Sequence, residues 1–266
     1  MKKECLFVHK NTCVSSDDFG AALRRCAVKQ GDTIFVHGGL GTFGTLPKNY
    51  TRDELCQEIV TVLQTSVGPS GTVSMPAFTY AFCEGAPFDR QKSRSEVGPL
   101  SEFFRTHTNV VRSSHPIFSI TACGPRAPEL VTVNADAFGA GSAFANLRAA
   151  NALLVFFGAS FETCTFIHHV EQTHGVPYRF IKTFRGLFRD GNIEKEIEST
   201  YFVRSLDKEV ITDLSRLEAR LHERGLLVKA NVGGGTISAV RAHDVFDIGT
   251  QMLDANISSF LKEKWL

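Results

Sequence analysis

The chain has 266 residues, of which 43% are hydrophobic and 21% are charged, and its formal net charge is +1. The near-neutral charge argues against nucleic acid as a partner, because non-specific binding to phosphates needs a basic field. No apolar run is long enough to span a bilayer and the start of the chain does not resemble a signal peptide, so we expect a cytoplasmic protein without a membrane partner.

The cysteines are scattered, odd in number, and contain no CxxC pair. This distribution is not typical of a disulfide framework or of a zinc site, and no metal is expected. We interpret most of these cysteines as small buried hydrophobic residues.

Two amphipathic helices are predicted in the amino-terminal part of the chain. The first is capped by Ser15 or Ser16 and is expected to close at Gly31. The second begins with a capping box, for which Thr51 and Glu54 have the required spacing. Each helix precedes a short apolar strand, so this part is expected to form a sheet with helices packed on it.

Strands are predicted at three apolar segments. The first leads into the glycine-rich loop HGGLGTFG, residues 37–44, and the second, GTVSMPAF, is stopped by Pro76. The third, ANALLVFFGA at residues 150–159, is typical of a central strand that is buried on both faces. A loop-rich segment lies between the second and the third, with a short helix at PLSEFFRTH and a strand at IFSITACG.

Turns and helices are predicted in the carboxyl-terminal part. The pair Asp190 and Gly191 favours a hairpin turn, and NVGGGT at residues 231–236 is interpreted as a structural turn. A surface helix is expected within residues 207–227, and residues 242–266 are expected to form a helix followed by a second short one. Because no repeat or linker interrupts the chain, one domain over residues 1–266 is expected.

The loop after the first strand carries glycines without a known phosphate-binding pattern. It has neither GxGxxG at a helix start nor GxxxxGK[ST]. Two interpretations stay open. Gly38 and Gly39 form a plain turn, or their small size allows a ligand to approach backbone N–H groups.

The segment CTFIHHVEQTHG, residues 164–175, places a histidine and a glutamate on one predicted helical face. Residues i and i+3 are neighbours on a helix, so His168 and Glu171 are expected to share a pocket, whereas His169 points about 100° away. A histidine suits proton transfer near neutral pH, and a carboxylate beside it can fix the tautomer of the ring.

Five segments occur in a recognisable order between residues 31 and 171: GDTIFVHGGL, GTVSMPAFTY, SRSEVGPLSEFFR, VVRSSHPIFSITACG and TFIHHVE. In this order the sequence resembles the aminoglycoside 3-N-acetyltransferase family, which is unrelated in fold to the GNAT acetyltransferases. The resemblance implies a single three-layer α/β/α domain with a mixed central sheet. It also implies an N-acyltransferase that transfers an acetyl group from acetyl-CoA to the amine of an amino sugar.

The resemblance further implies roles for individual residues. The expected catalytic residues are His168 as the general base, together with Glu171 and His37. The residues expected to contact the acceptor are Tyr80, Glu84 and Glu171. The residues expected to bind CoA, in the segments HGGL, MPAF and RSSHP, are Gly38, Gly39, Leu40, Met75, Ala77, Phe78, Arg112, Ser113 and His115.

Alternatives to these roles stay open at several positions. His37 is also typical of a hydrogen-bonded core histidine, and Arg112 of a surface arginine. Cys83 and Cys164 have no adjacent base that would make them acyl carriers, so direct attack by the amine is the simpler mechanism. A further carboxylate from a later helix, Asp213 or Glu218, is another candidate for the site.

The acceptor is expected to be an aminoglycoside or an amino sugar of a surface polysaccharide, carried on a nucleotide. A polycationic acceptor favours carboxylates around the site, whereas a nucleotide diphosphate favours basic residues. The segment PYRFIKTFRGLFR favours the second class, through Arg179, Lys182, Arg185 and Arg189. A non-catalytic CoA- or sugar-binding protein is the alternative function, and a homodimer is a further expectation.

Overall fold

The computed structural model describes residues 5–48, 50–205 and 210–265. Its strands are β1 (Phe7–His9), β2 (Thr12–Val14), β3 (Thr33–Gly38), β4 (Thr72–Pro76), β5 (Phe88–Asp89), β6 (Val111–Arg112), β7 (Ile120–Cys123), β8 (Leu153–Phe157), β9 (Arg179–Asp190), β10 (Ile193–Arg204), β11 (Val228–Val232) and β12 (Gly235–Arg241). Its helices are α1 (Ser16–Arg25), α2 (Arg52–Val67), α3 (Pro99–Arg105), α4 (Ala127–Val131), α5 (Ala143–Ala149), α6 (Ile167–His174), α7 (Ser215–Glu223) and α8 (Ala242–Ala255).

A seven-stranded sheet in the order β11-β12-β8-β3-β4-β7-β6 forms the centre of the molecule. Strand β3 is parallel to both of its neighbours, β4 and β8, and the outer pairs are antiparallel. The predicted mixed sheet is therefore confirmed. All residues of β8 are buried, as the apolar run at residues 150–159 indicated.

Helices cover both faces of this sheet, because successive residues of a strand point to opposite sides. Ile34 and Val36 of β3 belong to the core cluster under α1, α2 and α3. Phe35 of β3 and Phe156 of β8 belong to the second cluster, under α4 to α8. The predicted three-layer α/β/α arrangement is confirmed.

The predicted helix starts are confirmed, and one predicted helix end is wrong. The Ser15 side chain caps α1, and Thr51 and Glu54 form the predicted capping box of α2. Helix α1 ends before Gly31 because Ala27, shortly after Arg25, adopts a left-handed backbone with a φ of 62°.

The long hairpin of β9 and β10 turns at the predicted Asp190–Gly191 pair, and Gly191 has a φ of 59°. With β5 it forms a separate three-stranded sheet. The NVGGGT segment is the predicted turn, between β11 and β12.

The predicted helices near the carboxyl terminus need correction. The helix expected within residues 207–227 is limited to α7, and residues 207–209 lie outside the described residues. The second short helix expected after α8 is wrong for residues 256–265, because Asn256 is extended and Leu261 forms a β-bridge with Thr212.

The hairpin of β1 and β2 contains a disulfide between Cys5 and Cys13, which the cysteine pattern did not suggest. Lys10 and Asn11 have positive φ angles and turn the chain, so that the Cα atoms of the two cysteines lie 5.3 Å apart. None of the helices in the described ranges combines the length and apolar character that a bilayer-spanning segment needs.

Candidate functional site

A cavity of about 350 Å³ lies at the carboxyl ends of the three parallel strands β3, β4 and β8. Open α/β sheets commonly bind ligands at this edge, because the loops that follow the strands converge there. The lining residues are His37, Gly38, Pro76, Phe78, Tyr80, Val97, Ala159, Glu162, Thr163, Cys164, Thr165, Ile167, His168, Thr212 and Leu214.

His168 lines the cavity from the first turn of α6 and is bonded to Glu171 on the same helical face. Its Nδ1 lies 2.6 Å from Oε2 of Glu171. Because the carboxylate is an acceptor, Nδ1 carries the proton, and Nε2 has the free lone pair. The sequence spacing therefore placed the two side chains correctly.

Glu171 is completely buried and also contacts Arg179, whose Nε lies 2.8 Å from the same carboxylate oxygen. Burial alone raises the pKa of Glu171. The hydrogen bond from His168 and the charges of His168 and Arg179 outweigh burial and lower the pKa below its usual value. Glu171 is thus an anion inside the protein; its side chain has no exposure, and its contact with the acceptor stays a prediction.

The pKa of His168 lies below its ordinary value of 6.5, first because of burial and second because of the Arg179 charge. The bond to Glu171 acts in the opposite direction and is not strong enough to reverse this effect. At neutral pH the ring is therefore neutral and able to accept a proton at Nε2.

His169 points away from the cavity, as the helical geometry predicts. It is buried, and its Nδ1 lies 2.6 Å from the Phe138 carbonyl oxygen. Its ring packs against Phe166 and Phe246. This histidine is part of the core, so its replacement is expected to disturb packing rather than proton transfer.

His37 reaches the cavity from the end of β3. Its ring is stacked on Phe156, with centroids 5.2 Å apart, and lies edge-on to Phe35. Its Nε2 is buried without a hydrogen-bond partner among the described residues. Burial lowers the pKa of His37 to about 4, so this ring is neutral.

Arg112, which is predicted to contact CoA, makes buried hydrogen bonds within the protein. Arg112 is buried, and its guanidinium donates to the carbonyl oxygen of Ala77 at 2.6 Å and to the carbonyl oxygen of Ser93. These bonds join the loops after β4 to strand β6. The guanidinium therefore has protein partners in this structure, and its contact with CoA stays a prediction.

Ser113 and His115 are likewise structural in this fold rather than cavity residues. The Ser113 hydroxyl accepts the N–H of Ile120 at 2.9 Å. His115 Nδ1 accepts the N–H groups of Ile117 and Phe118. Both side chains are buried, and their contact with CoA stays a prediction.

Gly38 and Gly39 of the glycine-rich loop have different surroundings. Gly38 lines the cavity, but the Gly39 N–H donates to the Phe157 carbonyl at 2.9 Å. A Cβ atom at Gly39 would lie 2.6 Å from the carbonyl oxygen of Gly158. The close approach at Gly39 is therefore made by the protein itself and needs no ligand.

The remaining predicted residues fall into two groups. Phe78 and Tyr80 line the cavity as expected. The cavity lining does not include Leu40, Met75, Ala77 or Glu84. Met75 in β4 and Ala77, directly after this strand, are buried, and their contact with CoA stays a prediction.

Glu162 is a cavity carboxylate that the sequence interpretation missed. It follows the predicted central strand β8 and could have been found there, because the carboxyl ends of parallel strands share one edge. Both of its carboxylate oxygens accept the backbone N–H of Leu214. Burial raises its pKa, and the nearby charges of Asp213 and Glu218 raise it further. Two carboxylates considered as candidates thus act near Glu162 without lining the cavity themselves.

Cys164 lines the same cavity but is unsuited to carry an acyl group. Burial raises the pKa of its thiol to about 12. A protonated thiol is a weak nucleophile, so direct attack by an acceptor amine stays the simpler chemistry.

The basic segment of β9 does not form an anion site at the cavity. Arg179 is paired with Glu171, and Arg185 and Arg189 are paired with cross-strand glutamates at 2.7 and 2.5 Å. Lys182 lies over an aromatic ring of its own strand. None of these four side chains belongs to the described cavity lining, so the reason to favour a nucleotide diphosphate is removed.

The buried histidines predict a loss of stability in weak acid. The pKa values of His37 and His115 are lowered from 6.5 to about 4, so the unfolded chain binds more protons between these values. The free energy of unfolding should fall as the pH drops from 7 to 5, where carboxylates stay mostly ionised. We expect His37→Phe, which keeps a stacked ring, to reduce this slope by up to about 1.4 kcal/mol per pH unit. Urea unfolding at several pH values measures the slope, and an unchanged slope would contradict a buried neutral His37.

Comparison with known proteins gives a family match. The model of the family described as aminoglycoside 3-N-acetyltransferase matches residues 35–254. Aminoglycoside N(3)-acetyltransferase III of Salmonella sp is 24% identical over 206 residues, which cover 68% of this chain and 68% of the relative.

Solved structures share the fold. AAC-IIIb in a binary complex with CoASH is 23% identical and has a TM-score of 0.77, covering 94% of this chain and 98% of that one. AAC-VIa bound to sisomicin is 22% identical and has a TM-score of 0.77, covering 92% and 98%. At this level of identity the two structures establish the likeness of fold.

Proposed function

The chain belongs to the aminoglycoside 3-N-acetyltransferase family and is an N-acetyltransferase, and we propose that His168 is the base that accepts a proton from the acceptor amine. The observation that supports this role is the 2.6 Å bond from His168 Nδ1 to the buried Glu171. It fixes the tautomer and leaves Nε2 as a proton acceptor at the cavity. The whole reaction is assigned to one domain over residues 1–266.

Acetyl-CoA supplies the acetyl group as a thioester, and the cavity suits the thioester end of this molecule. The walls include the apolar side chains of Phe78, Val97 and Ile167. The buried Nε2 of His37 lacks a partner among the described residues, and as an N–H it can donate a hydrogen bond to an oxygen in the cavity. We assign to His37 the role of holding the thioester oxygen, which stabilises negative charge there.

His168 removes the proton that an attacking amine must lose. An amino-sugar amine is mainly protonated near neutral pH and then has no lone pair, so the neutral imidazole first takes a proton from it. The freed lone pair attacks the thioester carbon, the C–S bond breaks after the N–C bond has formed, and CoA leaves as a thiol with a second proton from the nitrogen. Glu171 holds the ring in the productive tautomer and stabilises the imidazolium that results. Cys164 stays a protonated thiol and takes no part in the transfer.

For the acceptor, we propose an aminoglycoside. The carboxylate of Glu162 lines the cavity, and Asp213 and Glu218 act on it electrostatically. Negative groups around the site favour a polycation, whereas the basic residues of β9 are occupied in ion pairs. The relative from Salmonella is named for the N(3) amine of aminoglycosides, and we extend that acceptor class to this chain.

A thiol-release assay tests the proposal. Acetyl-CoA is offered with a set of aminoglycosides and, in parallel, with nucleotide-linked amino sugars, and mass spectrometry identifies the acetylated amine. Thiol release that depends on an aminoglycoside supports the assignment. Release with the nucleotide-linked sugars alone would overturn the acceptor class. CoA binding without release in either set would indicate the non-catalytic binding function.

CoA should stabilise the folded protein. A ligand that binds only the folded state adds RT ln(1 + [L]/Kd), about 2.7 kcal/mol at 100 times Kd, so millimolar CoA should raise Tm by several degrees. Differential scanning fluorimetry measures the shift, with adenosine 3′,5′-bisphosphate as the control that lacks the pantetheine thiol. Equal Tm values with and without CoA would contradict use of this cofactor.

A further inference from the structure

We propose that Arg179 is a positioning residue for the proton transfer: its guanidinium holds Glu171 and offsets the negative charge of that carboxylate beside His168. The inference rests on the proposed role of His168 as the base. It adds a residue of strand β9 to the pair of His168 and Glu171. Those two residues lie on helix α6 and were indicated by their spacing in the sequence.

The contact is a buried ion pair. The Arg179 side chain is 6% exposed and that of Glu171 is 0% exposed, and Arg179 Nε lies 2.8 Å from Glu171 Oε2. The guanidinium also contacts the Thr212 hydroxyl at 3.4 Å, on the cavity wall, and the Phe202 carbonyl at 3.5 Å. Arg179 opens strand β9, where it pairs in register with Arg204 of β10. The base of the long hairpin thus sets the position of the charge.

This pairing separates two effects of Glu171 on His168. The hydrogen bond from Nδ1 to the carboxylate fixes the ring. An uncompensated carboxylate would also raise the pKa of His168, so that more of the ring would be imidazolium at neutral pH and unable to accept a proton. Together with burial, the cation beside Glu171 opposes this second effect. His168 therefore keeps its orientation without being charged before the amine arrives.

Other titratable groups around His168 do not supply this compensation. Tyr178, next to Arg179, is buried and its pKa is raised by burial and by Glu171, so it stays neutral. The remaining groups that line the cavity are neutral or acidic side chains: His37, Tyr80, Glu162 and Cys164. Arg179 is therefore the cation that the described surroundings of His168 provide.

The test is the pKa of His168, measured directly by NMR titration of the imidazole C–H in the free protein and compared with the acid limb of kcat/KM. In Arg179→Gln, which keeps hydrogen-bond donors without the charge, the carboxylate is uncompensated, and we expect the pKa to rise by about one to three pH units. Arg179→Lys keeps the charge and should titrate within about half a unit of the natural protein. His168→Gln assigns the resonance.

Two further variants make the result specific. Glu171→Gln combined with Arg179→Gln removes both charges, and the His168 pKa should return towards that of the natural protein. Arg185→Gln removes an exposed paired arginine of the same strand and should shift nothing. A purely structural role for Arg179 would lower activity in Arg179→Gln without moving the titration, and that result would overturn the inference.

The titration also keeps this inference distinct from the proposed function. A shifted pKa in a protein that acetylates no amine would support Arg179 and reject the base assignment. If Arg179→Gln still acetylates an amine and its His168 pKa has not moved, the role of Arg179 is rejected and the base assignment stands. If Arg179→Gln does not fold, the comparison of Arg179→Lys with the doubly neutral variant decides the matter: titrations that both match the natural protein support the inference, and a large shift in either overturns it.

Discussion

His168→Ala is expected to lower kcat by about 10²- to 10⁴-fold, the usual contribution of a general base. CoA affinity should change little, because Nε2 serves the acceptor amine. Of the other described cavity groups, Glu162 uses both carboxylate oxygens to accept the Leu214 N–H. The pKa of His37 is about 4 and that of Cys164 about 12, so neither side chain suits proton exchange near neutral pH. Steady-state kinetics with acetyl-CoA and an aminoglycoside that turns over measure the loss.

A matched control lies on the same helix. His174, in the last turn of α6, is half-buried, pairs with the exposed Asp254 and does not belong to the cavity lining. His174→Ala should therefore keep most of the activity. His169→Ala is unsuitable as a control because the His169 ring is buried, bonded to the Phe138 carbonyl oxygen and packed against Phe246. Equal activity of His168→Ala and His174→Ala would exclude His168 as the base.

Glu171→Ala is expected to destabilise the protein by about 3–5 kcal/mol, because removal of one partner leaves a buried charge without compensation. The charge left behind is that of Arg179, which is 6% exposed. The same change frees the His168 ring from its Nδ1 partner, so activity should fall together with stability. Urea unfolding gives the free energy, and kcat gives the second effect.

An exposed pair of the same chemistry is the control for stability. Arg185 and Glu198 are 76% and 60% exposed, and Glu198→Ala should change the free energy of unfolding by about 0–1 kcal/mol. Glu171→Met combined with Arg179→Met removes both buried charges and should lose less stability than Glu171→Ala alone. If Glu171→Ala were no more harmful than Glu198→Ala, the buried ion pair would not stabilise the fold.

Local patterns in the sequence were sufficient for strand β8 and for the two facing side chains of helix α6. The apolar run of β8 marks a strand buried on both faces, and the spacing of His168 and Glu171 places them on one turn. Both features depend on residues close together in the chain, where the periods of strand and helix determine which side chains are neighbours.

Long-range contacts account for the residues that the sequence misplaced. Nothing near Arg112 indicates that the carbonyl of Ala77, 35 positions away, receives its guanidinium. The sequence groups Arg179 with the other basic residues of β9, because it does not show which of these charges pairs with a buried carboxylate. The disulfide of Cys5 and Cys13 depends on a tight turn between two strands of three residues each, which are too short to show a clear alternation.

The pH dependence of kcat/KM, compared between the natural protein and His168→Gln, tests the role of His168 most directly. The rate constant reports groups of the free enzyme, and the pKa of His168 lies below 6.5. We expect the natural enzyme to gain activity with rising pH through a limb below 6.5 and to reach a plateau near neutrality. The variant should have a much lower kcat/KM without this limb. The same acid limb in both proteins would show that another group accepts the proton and would contradict His168 as the base.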